Sequence, residues 1–169
     1  MHSKDTQIKQ YAHQYLTEIL KLVLFLTVPI SALFLVVALI YDVLKYDWIC
    51  SFLPILFGLV VFVFCYIKTR HFAAMIRWQE DLLNVVFQSE PLTQLYPKTL
   101  FYQSDDWFIR AGCWGFHRDY IEKTSIHVRN EKSPARSYAI DIYTVDHQKI
   151  VIHDMQSGEI NKFKLWLQK

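Results

Sequence analysis

Two long stretches without a charged side chain stand out near the start of the chain. Residues 22–41 and 49–67 contain no Asp, Glu, Lys or Arg, and each approaches the roughly 20 residues that a helix needs to cross a hydrocarbon core. A signal peptide or a buried core helix is the alternative, but a second apolar stretch follows the first where a cleavage site would be expected. The pattern predicts two transmembrane helices, joined through residues 42–48.

Helical periodicity extends beyond both stretches. In residues 1–21 one helical face collects Ile8, Tyr11, Tyr15 and Ile19, which predicts either an amphipathic helix at the membrane surface or the solvated start of the first span. After the second span the period continues as far as Val86, and Ser89, Glu90 and Pro91 are expected to end the helix. We divide the chain into a cytoplasmic amphipathic segment (1–21), a transmembrane hairpin (22–68), a cytoplasmic helical extension (69–90) and a β-rich domain (91–169).

From Thr99 onward the pattern changes to short β-rich runs separated by turn residues. About five strands are predicted, in residues 99–103, 107–111, 116–123, 137–145 and 149–154. The last residues predict an amphipathic helix with one apolar face, formed by Ile160, Phe163, Trp166 and Leu167. The predicted fold class is an α+β membrane protein, with a two-helix transmembrane hairpin followed by a small antiparallel β-sheet domain capped by a C-terminal helix.

Composition and charge support a membrane location. Hydrophobic residues make up 53% of the 169 residues, more than an average soluble domain contains. Lysines and arginines flank the two outer ends of the predicted hairpin, whereas Lys45 alone lies in the connection. The positive-inside rule then places both termini in the cytoplasm of a multi-pass protein in a bacterial cell membrane. A formal net charge of +2 does not favour nucleic-acid binding, and the three cysteines fit a reducing compartment.

Residues 102–128, "YQSDDWFIRAGCWGFHRDYIEKTSIHV", carry a resemblance to a known family. An acidic turn, a strand ending in Arg-x-Gly, an aromatic connection and an isoleucine-rich corner follow one another, as in the bacterial pleckstrin-homology-like membrane-flanked domain proteins. In this chain these features are Asp105 and Asp106, Arg110 and Gly112, residues 114–118, and Ile121 with Ile126. The resemblance implies a small sheet capped by a C-terminal helix, no catalytic residues, and envelope-associated or interaction functions that include bacteriocin immunity in some relatives.

The same stretch contains residues that could take part in catalysis or bind a metal. Cys113 and His117 could form a nucleophile and base with Asp119 orienting the imidazole, but no oxyanion-binding loop accompanies them. A metal site could use His117 with three further histidines, His127, His147 and His153, but their spacing matches no metal-ligand motif. The spans contain no ionisable residue that would indicate an ion path. We therefore predict no catalytic residue, no cofactor and no metal site.

The remaining interpretation of this stretch is that it binds a partner through its surface. Trp107 and Phe116 are expected to fill the sheet core, whereas Arg110, Trp114 and Arg118 form the expected contact surface, of a composition common at binding hot spots. The predicted function is a non-enzymatic membrane protein with a cytoplasmic interaction module, an accessory or scaffold component of a bacterial envelope complex. The alternatives are a bacteriocin or toxin immunity protein and, less favoured, a Cys/His- or metal-dependent enzyme. Expected partners are membrane lipid and another protein or a second copy of this chain, with no nucleic acid.

Overall fold

The computed structural model describes residues 4–40, 48–87, 92–96, 100–129 and 137–168. Contacts divide the chain into two compact units. The helical unit consists of His2–Ala74 with Ala111–Cys113, and the β unit consists of Met75–Arg110 with Trp114–Lys169. The expected connection between the spans lies almost entirely outside the described residues.

Two long helices form the first part of the chain. Helix α1 covers Lys4–Ile40 and helix α2 covers Trp48–Leu83, and both are long and apolar enough to span a membrane. Helix α1 is continuous across the boundary expected at residue 21. The N-terminal segment, from Lys4 onward, is thus the first part of the long helix α1.

Helix α2 ends earlier than its periodicity predicted. Asn84 has a positive φ of 54°, the left-handed conformation that commonly terminates helices. The backbone N–H of Val85 donates to the carbonyl of Glu80 over 3.1 Å, and the Glu80 carboxylate accepts from the N–H of Phe87 over 2.7 Å. These hydrogen bonds pair backbone groups at the end of the helix, which is at Leu83. The residues expected to end it, Ser89, Glu90 and Pro91, lie outside the described residues and are not needed for this.

The β unit contains two antiparallel sheets and a C-terminal helix. The first sheet has the strand order β1-β2-β3-β4 and the second has the order β5-β6-β7. The strands are β1 Thr93–Gln94, β2 Phe101–Gln103, β3 Trp107–Arg110, β4 Trp114–His117, β5 Ile121–Val128, β6 Tyr138–Thr144 and β7 Lys149–Met155, and the helix is α3 Ser157–Leu167. The α+β fold class predicted from the sequence is confirmed.

One predicted strand is divided between the two sheets. Residues 116–123 were expected to be a single strand, but a short 3-10 turn at Arg118–Tyr120 separates β4 from β5. The backbone N–H of Asp119 donates to the side chain of His117, which caps this turn. The chain thereby passes from one sheet to the other. This division and the unpredicted short strand β1 explain why the described residues contain seven strands where five were expected.

Both sheets and helix α3 contribute to one core. Its buried members are Phe101, Phe108, Phe116, Tyr120, Ile140, Ile142, Ile152, Met155, Ile160, Phe163 and Trp166. Phe108 packs edge-on against Phe163 with ring centres 5.2 Å apart, which joins the first sheet to helix α3. The predicted apolar face of this helix therefore covers the sheets, as amphipathic patterning requires.

Candidate functional site

The β3–β4 hairpin carries the expected contact surface, and its turn is shorter than predicted. Strand β4 already begins at Trp114, so that the turn consists of Ala111, Gly112 and Cys113. Gly112 has a φ of 71°, the conformation that a three-residue hairpin turn requires of its glycine. Gly115, which the sequence assigned to the turn, lies within β4 instead.

Arg110 and Trp114 meet at the turn end of the hairpin. They are direct cross-strand partners, and the guanidinium carbon of Arg110 lies 5.2 Å from the centre of the Phe101 ring. The Trp114 ring lies 5.8 Å from the same ring and stacks on Phe108 at 6.0 Å. Both side chains are half-buried, so they form a cationic and aromatic cluster that is joined to the core and still reaches the surface.

Arg118 lies at the opposite end of the same strand pair. Its guanidinium carbon is 5.7 Å from the centre of the Trp166 ring, and its Nη2 donates to the backbone carbonyl of Asp105. Trp166 Nε1 donates to that same carbonyl over 3.1 Å. The structure therefore separates the three predicted contact residues into two places, with Arg110 and Trp114 at one end of the hairpin and Arg118 at the other.

His117 is engaged in the local structure. Its residue is 4% exposed, and its ring packs against Trp107 with ring centres 5.0 Å apart. Nδ1 accepts the backbone N–H of Asp119 over 3.2 Å, so the ring carries its proton on Nε2 when it is neutral. The nearer Asp119 carboxylate oxygen lies 3.9 Å from Nδ1, and an accepting nitrogen cannot donate to it. Asp119 therefore does not orient the imidazole as a catalytic base would require.

Gln79 on helix α2 is a buried polar residue that the sequence analysis did not single out. Its side-chain amide donates to the carbonyl of Gly115 over 2.8 Å and accepts the backbone N–H of His117 over 2.7 Å. A Cβ at Gly115 would come within 2.7 Å of the Ile76 and Ile109 side chains, so only glycine permits this approach. Gln79 thus hydrogen-bonds the Gly115 carbonyl and the His117 N–H on the outer edge of β4, where these backbone groups have no neighbouring strand to pair with. A glutamine in a helix and a glycine in a strand were visible in the sequence. The two residues are 36 positions apart, and no sequence pattern indicates that they meet.

Asp146, in the turn between β6 and β7, is a second polar centre that the sequence analysis missed. Its Oδ2 accepts hydrogen bonds from Trp78 Nε1 over 3.0 Å, from the Tyr120 hydroxyl over 3.1 Å and from Gln148 Nε2 over 2.9 Å. Thr144 Oγ1 donates to its other carboxylate oxygen. Burial acts to raise the pKa of Asp146, but the hydrogen bonds outweigh it and hold the pKa below the ordinary 3.8. The end of α2 is therefore attached to both sheets of the β unit by polar contacts.

The solvent-facing side of the β5-β6-β7 sheet carries Ser125, His127 and Asp141. Ser125 Oγ is 3.2 Å from His127 Nε2, and the Asp141 carboxylate is 3.4 Å from that same nitrogen. A Ser-His-Asp triad needs the serine and the carboxylate on different ring nitrogens, so this cluster cannot act as one. Lys149 lies 2.7 Å from Asp141, and their hydrogen bond lowers the pKa of Asp141 and raises the pKa of Lys149.

His147 and His153, which were also considered as metal ligands, lie in different parts of the β5-β6-β7 sheet. His147 occupies the β6–β7 turn with a φ of 63°, and His153 is exposed on β7. Among the residues that the structure describes, no group of three or more His, Cys, Asp or Glu side chains could hold a metal ion.

Comparison of the chain with protein families, with characterised proteins and with solved structures finds no match. The likeness to the pleckstrin-homology-like membrane proteins accordingly rests on residues 102–128 and on the order of the elements. At the coarser level, two long apolar helices are followed by a small antiparallel β domain with a C-terminal helix.

Proposed function

We propose that this chain is a multi-pass bacterial membrane protein that holds a pleckstrin-homology-like interaction module on the cytoplasmic side. The observation that carries the proposal is the location of its exposed apolar side chains. Most of those that are large lie in two bands, Leu22–Val37 of α1 and Phe52–Ile67 of α2. Apolar patches of this extent are rare on soluble monomers, and lipid is the solvent that favours them.

The dimensions of the two bands fit a bilayer. At 1.5 Å per residue each band is about 24 Å long, close to the roughly 30 Å of a hydrocarbon core. Charged residues mark the same end of both bands. Lys21 forms a 2.8 Å ion pair with Glu18 just before the first band, and Lys68 follows the second with its ammonium 5.0 Å from the Phe64 ring centre. The charge distribution supports placing this end, and with it both termini, in the cytoplasm.

The β unit supplies features expected of a docking module. Its core is closed, its β4 edge is satisfied by Gln79, and its attachment to α2 is reinforced through Asp146. Such a module presents a stable surface for a partner. The half-buried pair of Arg110 and Trp114 is the part of the predicted surface that combines a cation with a large aromatic ring, the residue types enriched among binding hot spots. We propose that this pair, with Arg118, contacts a partner protein of the cell envelope.

Photo-crosslinking in intact bacterial membranes tests this proposal. A photoreactive amino acid would be placed at position 110, 114 or 118, and at Lys162 as a control on the exposed side of α3. We expect adducts of defined mass from the hairpin positions and none from position 162. Equal labelling from position 162, or no adduct from the hairpin, would argue against the contact surface. Protease digestion of inverted and right-side-out vesicles would establish the orientation separately.

A further inference from the structure

Cys65 and the turn that carries Cys113 lie against the same tyrosine, Tyr15. Cys65 is on α2 and is 8% exposed, and its Sγ accepts a hydrogen bond from the Tyr15 hydroxyl over 3.7 Å. Cys113 belongs to the hairpin turn that groups with the helices, and the preceding residue of this turn, Gly112, lies against the Tyr15 side chain. One tyrosine side chain therefore contacts both Cys65 and the turn that carries Cys113.

The turn that carries Cys113 is held closely against Tyr15. A Cβ at Gly112 would come within 2.4 Å of Tyr15 Cγ, so the backbone next to Cys113 rests directly on the aromatic ring. The positive φ of Gly112 and this close approach both exclude a side chain there. The backbone next to Cys113 is thus fixed by packing against Tyr15 of α1 as well as by the hairpin turn.

The two thiols differ in their access to small oxidants. Cys113 is half-exposed, whereas Cys65 is buried, and the sulfur of each is a thiol and not part of a disulfide. We propose that Cys113 and Cys65 form a reversible thiol-oxidation site, in which a hydroperoxide oxidises Cys113 and Cys65 resolves the product as an intramolecular disulfide. Disulfides of reducing compartments are usually transient and redox-sensing, and an accessible cysteine beside a resolving cysteine is the arrangement that such sensors use.

The chemistry is a two-electron oxidation by hydrogen peroxide. The Cys113 thiolate attacks one peroxide oxygen, the O–O bond breaks, and the leaving hydroxide takes up a proton, which gives a sulfenic acid and one water. The Cys65 sulfur then attacks the sulfenic sulfur, the S–O bond breaks, and the Cys65 proton leaves with the hydroxyl as a second water. Disulfide formation breaks the hydrogen bond that Cys65 accepts from the Tyr15 hydroxyl, and the new bond joins the hairpin turn to α2.

The test uses the full chain in detergent with Cys50→Ser, which removes the remaining thiol of the sequence. After treatment with hydrogen peroxide, free thiols are counted with a mass-tagged maleimide, and tryptic peptides are analysed without reduction. We expect both thiols to be lost together, the Cys65 and Cys113 peptides to be joined within one chain, and dithiothreitol to restore both thiols.

Two variants separate this site from adventitious oxidation. With Cys65→Ser, Cys113 should accumulate as a sulfenic acid that dimedone traps, whereas with Cys113→Ser, Cys65 should remain a free thiol. Oxidation of Cys65 in the Cys113→Ser protein at the rate of the parent, or disulfides formed only between chains, would overturn the proposal. The result does not depend on the orientation of the protein or on its partner, so it can fail while the proposed function holds.

Discussion

The two units of this chain place the same apolar residue types in opposite environments. In the helical unit Phe25, Leu33 and Phe57 are 76%, 64% and 69% exposed, whereas in the β unit Phe108 and Phe163 are fully buried. Water favours burial of each of these side chains. The β unit therefore has the distribution of a water-soluble domain, and the helical bands have a distribution that is stable only when another apolar phase covers them.

Several polar side chains of the β unit are buried and paired. The β unit buries Gln79, His117 and Thr144, and each of them is hydrogen-bonded. Burial of a polar group costs little when it is paired and much when it is not. The membrane location that we propose assigns the two units to two different solvents, and substitutions of similarly exposed or buried residues can break or sharpen this comparison.

The largest effect is expected within the β unit, from Trp166→Ala. Trp166 is fully buried and packs on Phe108 and Phe163 with ring centres 5.5 Å and 5.7 Å away. Its truncation should lower the free energy of unfolding by about 3–5 kcal/mol. Leu165→Ala, at a 60% exposed neighbour on the same helix, should cost less than about 0.5 kcal/mol. Thermal unfolding in detergent measures both, and equal costs would contradict the assigned helix face.

A charge introduced at Leu33 tests the solvent of the helical bands directly. Leu33 and Leu165 are similarly exposed, at 64% and 60%, so a water-soluble surface would tolerate arginine at either position. In a bilayer Leu33→Arg should cost about 2.5–3.5 kcal/mol of insertion free energy, whereas Leu165→Arg should leave insertion unchanged. The membrane-integrated fraction after alkaline extraction measures the difference, and equal fractions would count against a lipid environment.

Gln79→Leu tests the polar attachment of α2 to β4. The substitution leaves the carbonyl of Gly115 and the N–H of His117 without the partners they have in the native fold. A buried unpaired group costs about 1–3 kcal/mol, so we expect a loss of about 2 kcal/mol in stability and faster hydrogen exchange at His117. Gln168→Leu, at an exposed glutamine after α3, is the matched control and should behave like the parent protein.

The smallest effect is expected from Asp146→Asn, and it should depend on pH. The pKa of Asp146 lies below 3.8 in the folded chain, so its contribution is complete above that value and is lost as the pH falls through the folded-state pKa. At pH 7 the variant should be about 1 kcal/mol less stable, and the difference should shrink in acid. Glu122→Gln, at an exposed position on β5, provides the control. A stability difference between Asp146→Asn and the parent that increased as the pH fell would contradict a lowered pKa of Asp146.

Much of the architecture could be predicted because it depends on local periodicity. The two apolar stretches, the apolar face of α3 and most of the strands are encoded in side chains that are neighbours along a helix or a strand. The short strand β1 was missed because Thr93–Gln94 lies within a stretch that reads as a linker. The division between β4 and β5 was missed because alternation continues through Arg118–Tyr120, and only the capping bond of His117 marks the turn.

The candidate site was predictable in composition but not in arrangement. Arg110, Trp114 and Arg118 lie within nine residues of each other in the sequence, which suggested a single surface. Strand pairing places Arg110 beside Trp114 and puts Arg118 at the far end of the hairpin, over Trp166. Gln79 and Asp146 were missed because their partners are distant in the chain, so no spacing rule could have selected them.

By itself the sequence determined where apolar side chains are dense enough to require burial or lipid, which elements form, and the near-neutral charge balance. These properties depend on residue types and on spacings of a few positions. Only the tertiary structure decided which strands share a sheet, which polar groups hydrogen-bond to the β4 edge, and that Cys65 and the turn carrying Cys113 both contact Tyr15. The physical reason is that hydrogen bonds and thiol chemistry need contact within a few ångströms, and folding brings together residues that the chain separates.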